Sequence, residues 1–275
     1  MAAHDKPPLF NASAVQALLH TRVLGRTLHV LADVESTNTT ALALADSGAP
    51  HGTVVAADTQ TAGRGRMGRA WHSPSGENLY CSILLRNLPS PGLTATWLSW
   101  LPLISGIAVL RTIEAVSGLH PTLKWPNDVL IQDRKIAGVL CESSGLGSSR
   151  AVVVVGIGLN LNTECGNFPA DLRESATSMR SEAGRTFDRI EVLGMLLNQL
   201  DARYEALADP CFIEIREEYG RLCSTLGRDI CVTLSSHEAI RGVAEAITED
   251  GALAVLEKQS GRTFVVRAGD VTHVR

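Results

Sequence analysis

The stretch that decides the fold reads LKWPNDVLIQ (123–132), then KIAGVLCESS (135–144), then AVVVVGIGLNLN (151–162). Each is a short apolar or β-branched run, and only Asp133-Arg134 separates the first two. Strands joined by two residues form a hairpin and pair antiparallel, whereas parallel neighbours need a long crossover. The expected fold is therefore an α/β chain of the α+β type, with a mixed, largely antiparallel sheet and flanking helices. Pro126 inside an apolar run belongs at a sheet edge or bulge, where Asn127 and Asp128 can point into a cleft. Alternation along 135–140 puts Lys135, Ala137 and Val139 on one face and Ile136, Gly138 and Leu140 on the other.

Upstream, 53–57 (TVVAA) and 79–86 (LYCSILLR) read as strands, and 12–22 and 36–46 as helices. Ser47-Gly48-Ala49-Pro50 is a helix stop. Asn87 to Leu110 carries no charge and is long enough to span a bilayer. Its prolines (Pro89, Pro91, Pro102) and its serines and glycines predict instead a loop and then a buried helix over about Thr96 to Val116, with Pro102 in the first turns. Downstream, 188–208 is helical in period, and 211–219 is a candidate short helix. In both, Asp201, Glu205, Glu217 and Glu218 read as solvated faces. Beyond Leu222 the texture changes to four short strand runs (228–234, 239–248, 252–258, 263–274). Ser235-Ser236, Asp250-Gly251 and Ser260-Gly261 separate them, which predicts a small barrel.

The 275 residues are 45% hydrophobic and 20% charged with a net charge of -4, which excludes a disordered chain and disfavours a broad nucleic-acid-binding face. Six scattered cysteines contain no C-x-x-C pair, so no metal site is predicted from them. With no export signal read at the N-terminus, they fit a reducing, cytoplasmic setting.

Gly63-Arg64-Gly65-Arg66-Met67-Gly68-Arg69 matches G-x-G-x-x-G formally. The dinucleotide fingerprint needs a strand running in and a helix running out. Here polar Asp58-Thr59-Gln60-Thr61 precedes the glycines, and Pro74 and Gly76 follow, so that reading fails. Three arginines within six positions instead make a self-repelling loop that orders around a carboxylate or phosphate. The plainer account is an exposed loop with incidental arginines.

Lysine is rare, four against 21 arginines, yet Lys124 and Lys135 fall within twelve residues. A compact ammonium rather than a planar fork is the physical reason to keep Lys there, although a surface lysine beside a turn-forming Asn-Asp pair fits as well. Ser36-Thr37-Asn38 ahead of a helix is either an N-cap or a polar triplet for a small ligand, with Gln60 a further donor and acceptor. Gly156 and Gly158, after four valines, permit close backbone approach to a ligand or simply end a buried strand. Trp71 is either core or a stacking surface for a purine.

Taken in order, Ser36-Thr37-Asn38, Gln60 to Trp71, Lys124 to Asp128, Lys135 to Gly138 and Gly156 to Asn160 resemble biotin–protein ligases. The resemblance implies a class II synthetase-like, biotin/lipoate ligase catalytic domain over 1–221 and an SH3-like barrel over 222–275. It implies two steps: biotin and ATP give biotinyl-5′-AMP, and a lysine of a biotin carboxyl carrier domain then takes the biotinyl group. Such carriers belong to acyl-CoA or pyruvate carboxylases.

By the same resemblance, Lys135 and Arg64 would be catalytic. Ser36, Thr37, Asn38, Gln60, Gly63, Arg64, Gly65, Arg66, Lys135 and Gly138 would meet biotin. Arg66, Arg69, Trp71, Asn127, Asp128 and Asn160 would line the nucleotide side. Mg²⁺ would accompany ATP, held by phosphate oxygens and water, with no protein metal ligand. Gly138 would leave room for the ligand. Only 35 residues precede Ser36, too few for the DNA-binding winged domain of bifunctional members, so no DNA partner is expected, and the prolines and polar residues of 87–110 argue against a membrane partner. A lipoate–protein ligase and a non-catalytic biotin-binding protein are the rival readings. No run of consecutive glycines flanked by Arg and His supports the first, and Lys135 beside the arginine loop argues against the second.

Overall fold

In the computed structural model, residues 11–86, 88, 91–206, 213–234 and 238–274 are described. Met1 to Phe10, Asn87, Pro89, Ser90, Cys211 and the Ser235-Ser236 turn lie outside them. The order of elements is α1 (Ala12–Ala17), β1 (Leu28–Val34), α2 (Thr37–Asp46), β2 (Val54–Gln60), β3 (Leu79–Leu85), α3 (Pro91–Ser117), β4 (Thr122–Lys124), β5 (Asp128–Ile131), β6 (Arg134–Ser144) and β7 (Val152–Leu159). There follow α4 (Met179–Ala183), α5 (Arg189–Ala206), α6 (Ile213–Leu222), β8 (Asp229–Thr233), β9 (Ala239–Ile247), β10 (Leu253–Leu256), β11 (Thr263–Val266) and β12 (Asp270–His273).

Seven strands form one sheet in the order β1-β2-β3-β7-β6-β5-β4. Only β1 and β2 are parallel, because α2 supplies the crossover between them; every other neighbour pair is antiparallel. The mixed, largely antiparallel sheet is as expected. Alternation splits its side chains between two layers. Val55, Leu84, Val152 and Val154 pack under α2, while Val54, Ile83, Val153 and Val155 join the larger core with α3 and α5. The face under α2 continues past that helix's N-terminus onto Gly156 and Gly158, and this continuation is where a cavity opens.

Several boundaries differ from expectation. The hairpin turn is Gln132-Asp133 rather than Asp133-Arg134, with φ of 50° and 61°, the geometry of a two-residue turn matched to strand twist. Helix α1 stops at Ala17 because the next segment wraps onto α5. The backbone N–H groups of Arg22, Val23 and Leu24 all donate to Asp201, at 2.7, 3.3 and 3.0 Å. Asp201 is thus buried, not solvated. Glu218 is also engaged, accepting from Arg111 at 2.8 Å and Arg203 at 3.4 Å. Helix α3 begins at Pro91, so Pro102 is interior. Among the described residues it is the one helix long and apolar enough to cross a membrane, and 67% of its most apolar window is buried inside the protein.

The C-terminal residues form a separate antiparallel sheet, β11-β10-β9-β8-β12, of five strands rather than four because the last run breaks after Val266. Trp100 Nε1 donates to Glu249 O (2.9 Å) and Trp125 Nε1 to Gly251 O (3.1 Å), tying the β9–β10 turn to α3 and to the turn after β4.

His273 links the sheets at a second point. Arg228 Nη1 lies 3.1 Å from His273 Nδ1 and 3.0 Å from Asp133 Oδ1, and Thr225 Oγ1 lies 3.2 Å from Nε2. Arginine only donates, so Nδ1 accepts and Nε2 carries the proton. Burial, then Lys124 and Arg228, push the imidazole down to about 4 from 6.5. Below pH 6.5 the unfolded chain takes up a proton that the folded chain refuses. This stabilisation is complete above pH 6.5 and is lost as pH falls towards 4. Urea midpoints measured across that window should fall, and His273→Gln should flatten the slope. A residual slope is expected from His51, which burial also lowers.

Candidate active site

The cavity beyond the N-terminus of α2 has a volume of about 350 Å³ and is lined by every predicted site residue except Gly63. Gly63 sits behind it, where a Cβ would meet Trp71 O at 2.7 Å and Ser73 Oγ at 2.8 Å. Its bare backbone closes the base of the loop, accepting from Trp71 N at 2.8 Å.

At one end, Gln60 does what the N-cap reading gave to Ser36. Strand β2 runs on to Gln60, beyond the expected end at Ala57. The Gln60 Oε1 atom accepts from Thr37 N at 3.0 Å and from Thr37 Oγ1 at 3.2 Å, while Nε2 donates to Ser73 Oγ at 3.0 Å. Ser36 makes no side-chain cap bond, so its hydroxyl is not consumed by the helix. Asn38 is fully committed: Nδ2 donates to Leu140 O (3.2 Å) and Glu142 Oε2 (2.6 Å), and Oδ1 lies 2.6 Å from Ser82 Oγ. It holds the wall in place.

The glycine-arginine loop closes on itself through Gly65 N to Arg69 O (2.7 Å) and Trp71 N to Gly63 O (2.8 Å). Between them Met67 takes a left-handed φ of 54° with its side chain exposed. The expected self-repulsion is offset inside the protein, because each arginine has a partner on a different element. Arg64 binds Glu142 at 3.0 Å and Thr39 Oγ1 at 2.7 Å. Arg66 donates to Asn127 Oδ1 at 3.0 Å, and burial pulls its guanidinium below the usual value against the pull of Asp128 and Asp270. Arg69 pairs with Asp270 of β12. No helix follows the glycines, as the failed dinucleotide reading required, although the strand does reach closer than its polar residues suggested.

Lys135 reaches the cavity by a register irregularity. Val129 pairs with Ala137 and Leu130 with Lys135, so Ile136 is the extra residue of a β-bulge. Ile136 and Ala137 both turn into the core, and Lys135 moves onto the face of Gly138 and Leu140. The alternation read from sequence put it on the opposite face. Its Nζ lies 2.6 Å from Asp128 Oδ1 and 5.4 Å from the centroid of the Trp71 ring.

Trp71 lies over two bare backbones. Gly138 and Gly158 are direct cross-strand partners, and a Cβ on them would meet Trp71 Cζ3 at 3.2 Å and Trp71 Nε1 at 2.6 Å. A Cβ on Gly156 would meet Asn38 Cγ at 2.8 Å. These glycines therefore admit Trp71, Lys135 and Asn38 against the strand backbone while still lining the cavity. Trp71 Nε1 is buried without a hydrogen-bond partner among the described residues. Asn127 Nδ2 donates to Val139 O (2.9 Å), and buried Asn160 to Thr177 O (3.0 Å). Phe168 and Leu172 complete the wall.

Sequence reading missed Ser82, Glu142 and Asp270. A lone serine inside LYCSILL was the one signal available for Ser82. Nothing local marks Asp270.

The Biotin/lipoate A/B protein ligase family matches residues 30–160. The biotin–[acetyl-CoA-carboxylase] ligase of Mycobacterium tuberculosis is 35% identical over 98% of this chain and 97% of its own. The chain belongs to the biotin–protein ligase family. Within that family it is also 35% identical to the bifunctional ligase/repressor BirA of Bacillus spizizenii, over 93% of this chain and 77% of that one. Its fold is similar to that of the biotin protein ligase from Aquifex aeolicus in complex with biotin and ATP, at a TM-score of 0.77 and 28% identity over 90% of this chain and 100% of that one.

Proposed function

We propose that the chain activates biotin with ATP to biotinyl-5′-AMP and transfers the biotinyl group to a lysine of a biotin carboxyl carrier domain. The observation that carries this reading is Lys135, paired with Asp128 between the Ser36–Thr37–Gln60 end of the cavity and the Trp71 end. Two anions must meet in the first step, and a single ammonium held between them offsets their mutual repulsion.

In that step a biotin carboxylate oxygen attacks the α-phosphorus of ATP. The bond to pyrophosphate breaks and an acyl-phosphate anhydride forms. Ser36, Thr37 and Gln60 orient the ureido end, Lys135 bridges carboxylate and α-phosphate oxygens, and Trp71 offers its ring face to the nucleotide. Asn127 and Asn160 keep the nucleotide wall rigid. The loop carrying Arg64 and Arg66 covers the anhydride and excludes water. In the second step the carrier's neutral lysine amine attacks the acyl carbon, AMP leaves, and the nitrogen loses a proton as the amide forms. Lys135, held 2.6 Å from Asp128 inside the cavity, serves as a fixed cation in this reading, and the nucleophile is the carrier's own lysine.

No group of three or more His, Cys, Asp or Glu side chains that could hold a metal ion occurs among the described residues. The cavity carboxylates Asp128, Asp133 and Asp270 are engaged by Lys135, Arg228 and Arg69. A divalent cation therefore suits this site as part of the nucleotide, held by phosphate oxygens and water. On the same reading residues 1–221 form the catalytic domain, 222–275 an appended one, and the reaction is cytoplasmic.

The test is incubation of the protein with ATP, Mg²⁺, biotin and a purified apo carrier domain of an acyl-CoA or pyruvate carboxylase, followed by intact mass. An ATP-dependent gain of one biotinyl group is expected. A carrier that gains lipoate and not biotin under the same conditions would overturn the reading.

A further inference from the structure

The far half of the glycine-arginine loop is anchored by Arg66 on Asn127 and by Arg69 on Asp270, and the near half by Arg64 on Glu142. Strand β5 pairs with β6 only as far as Gly138, so Glu142 lies beyond its reach, with Val154 of β7 as cross-strand partner. Val154 packs under α2, and Glu142 rises from the same face toward the first turn of that helix. There Oε2 accepts from Asn38 Nδ2 at 2.6 Å and from Arg64 Nη2 at 3.0 Å, and Oε1 lies 3.1 Å from the same Nη2. Arg64 closes the ring by donating from Nη1 to Thr39 Oγ1 at 2.7 Å. One carboxylate thus joins strand, helix and loop. Helix α2 has no acidic residue in its own first turn, and Glu142 supplies from outside the negative charge that the positive end of a helix dipole favours.

We propose that Glu142 is a positioning residue: acting through Arg64 and Asn38, it latches the near half of the loop to α2 and so fixes the end of the cavity formed by Ser36, Thr37 and Gln60. This rests on the biotin-binding role given to that end above. Glu142 is not among the residues that line the cavity, so it works through its partners. Both terminal nitrogens of Arg64 are committed to Glu142 and Thr39, and its guanidinium serves the loop rather than the reacting atoms. Asn38 follows Thr37 directly and Arg64 follows Gln60 by four residues, so a shift of either partner reaches the biotin end over a short length of chain. The Arg64 and Glu142 side chains are 37% and 30% exposed. A pair that open to water is weak enough to part when a ligand enters and to close again over it. It is also not needed for folding. With the carboxylate's charge removed, Asn38 Nδ2 keeps Leu140 O at 3.2 Å and Arg64 keeps Thr39. What is lost is closure: the loop opens more often, biotin leaves faster, and water attacks the acyl-phosphate before the carrier does. That hydrolysis returns biotin and AMP, so ATP is consumed without transfer.

The experiment compares wild type, Glu142→Gln, Arg64→Gln and the double variant, each as the full chain. Glutamine keeps the size of the side chain, and its amide oxygen still accepts from Asn38 Nδ2, so Glu142→Gln isolates the link to Arg64. Calorimetry with biotin and with ATP separately should show biotin binding weakened about three- to tenfold and ATP binding within about twofold of wild type. On the Arg64→Gln background, Glu142→Gln should change biotin affinity by less than about twofold, because the carboxylate acts through that arginine. In the carrier assay, pyrophosphate release should match biotinyl transfer in wild type and exceed it by at least about twofold in Glu142→Gln. Structural damage would lower ATP affinity as well and reduce both products together, so it cannot imitate this split. Unchanged biotin affinity in Glu142→Gln, equal losses for biotin and ATP, or fully additive effects of the two substitutions each overturn the proposal. The binding measurements need no carrier. A wild type that binds biotin yet modifies no carrier would sink the enzymatic reading, while the biotin affinities of the four proteins would still uphold or overturn the latch.

Discussion

Replacing Lys135 by Met should slow formation of the adenylate by about three orders of magnitude while changing biotin affinity by less than about tenfold. The magnitude follows from what is lost and what is left. The ammonium disappears from between two anions, and Asp128, from which Nζ stands at 2.6 Å, becomes an uncompensated carboxylate beside the incoming phosphate. Lys135→Arg should rescue little. The lysine end passes close over Gly138, whose would-be Cβ lies 3.0 Å from Cε and 3.1 Å from Nζ, and a planar guanidinium needs more room than that. Burst release of pyrophosphate under single-turnover conditions separates this step from transfer. A Lys135→Met enzyme that releases pyrophosphate at the wild-type rate would remove Lys135 from the chemistry.

The second large effect is expected from Gly158→Val, which should weaken ATP binding at least about thirtyfold and leave biotin binding within about threefold. Gly158 is not among the positive-φ glycines, so the strand backbone accepts a β-branched residue there. What it cannot accept is the side chain, because the indole of Trp71 already fills that space. Displacing Trp71 removes the nucleotide's apolar support and lifts the ring away from Lys135, 5.4 Å from its centroid. Overpacking a site of this kind also costs stability, typically about 1–3 kcal/mol. Gly138→Ala should be milder, since its nearest neighbours are the movable end of Lys135 and one edge of the ring. Calorimetry with ATP and with biotin separately reads the split. Equal losses for both ligands would show that Trp71 does not divide the cavity as described.

Much of the catalytic sheet was legible because its signals are local. The two-residue separation of β5 and β6 dictates antiparallel pairing, and four consecutive valines between two packed layers leave no exposed face to hide. The motif residues were legible for a related reason: glycines, a rare lysine and clustered arginines are costly choices on a generic surface. Their partners were not. Glu142, Ser82 and Asp270 are ordinary residue types in ordinary strands, and they matter only because they lie opposite Arg64, Asn38 and Arg69.

The parity error at Lys135 shows the same division. Period-two alternation places its side chain with Ala137 and Val139, and nothing in KIAGVL marks Ile136 as the residue to be squeezed out of register. The bulge exists because β5 and β6 must bury Ile136 and Ala137 together while delivering an ammonium to the glycine-paved face. That requirement is set across the sheet, not along the strand. Sequence alone thus determined which chemical groups this protein carries, their order along the chain and the antiparallel character of its central strands. Tertiary structure decided which face Lys135 occupies, which counter-ion each arginine finds, and that an aspartate more than 200 residues away from Arg69 completes the loop. Electrostatic and steric partners are chosen by distance in space, and that distance does not exist until the chain has folded.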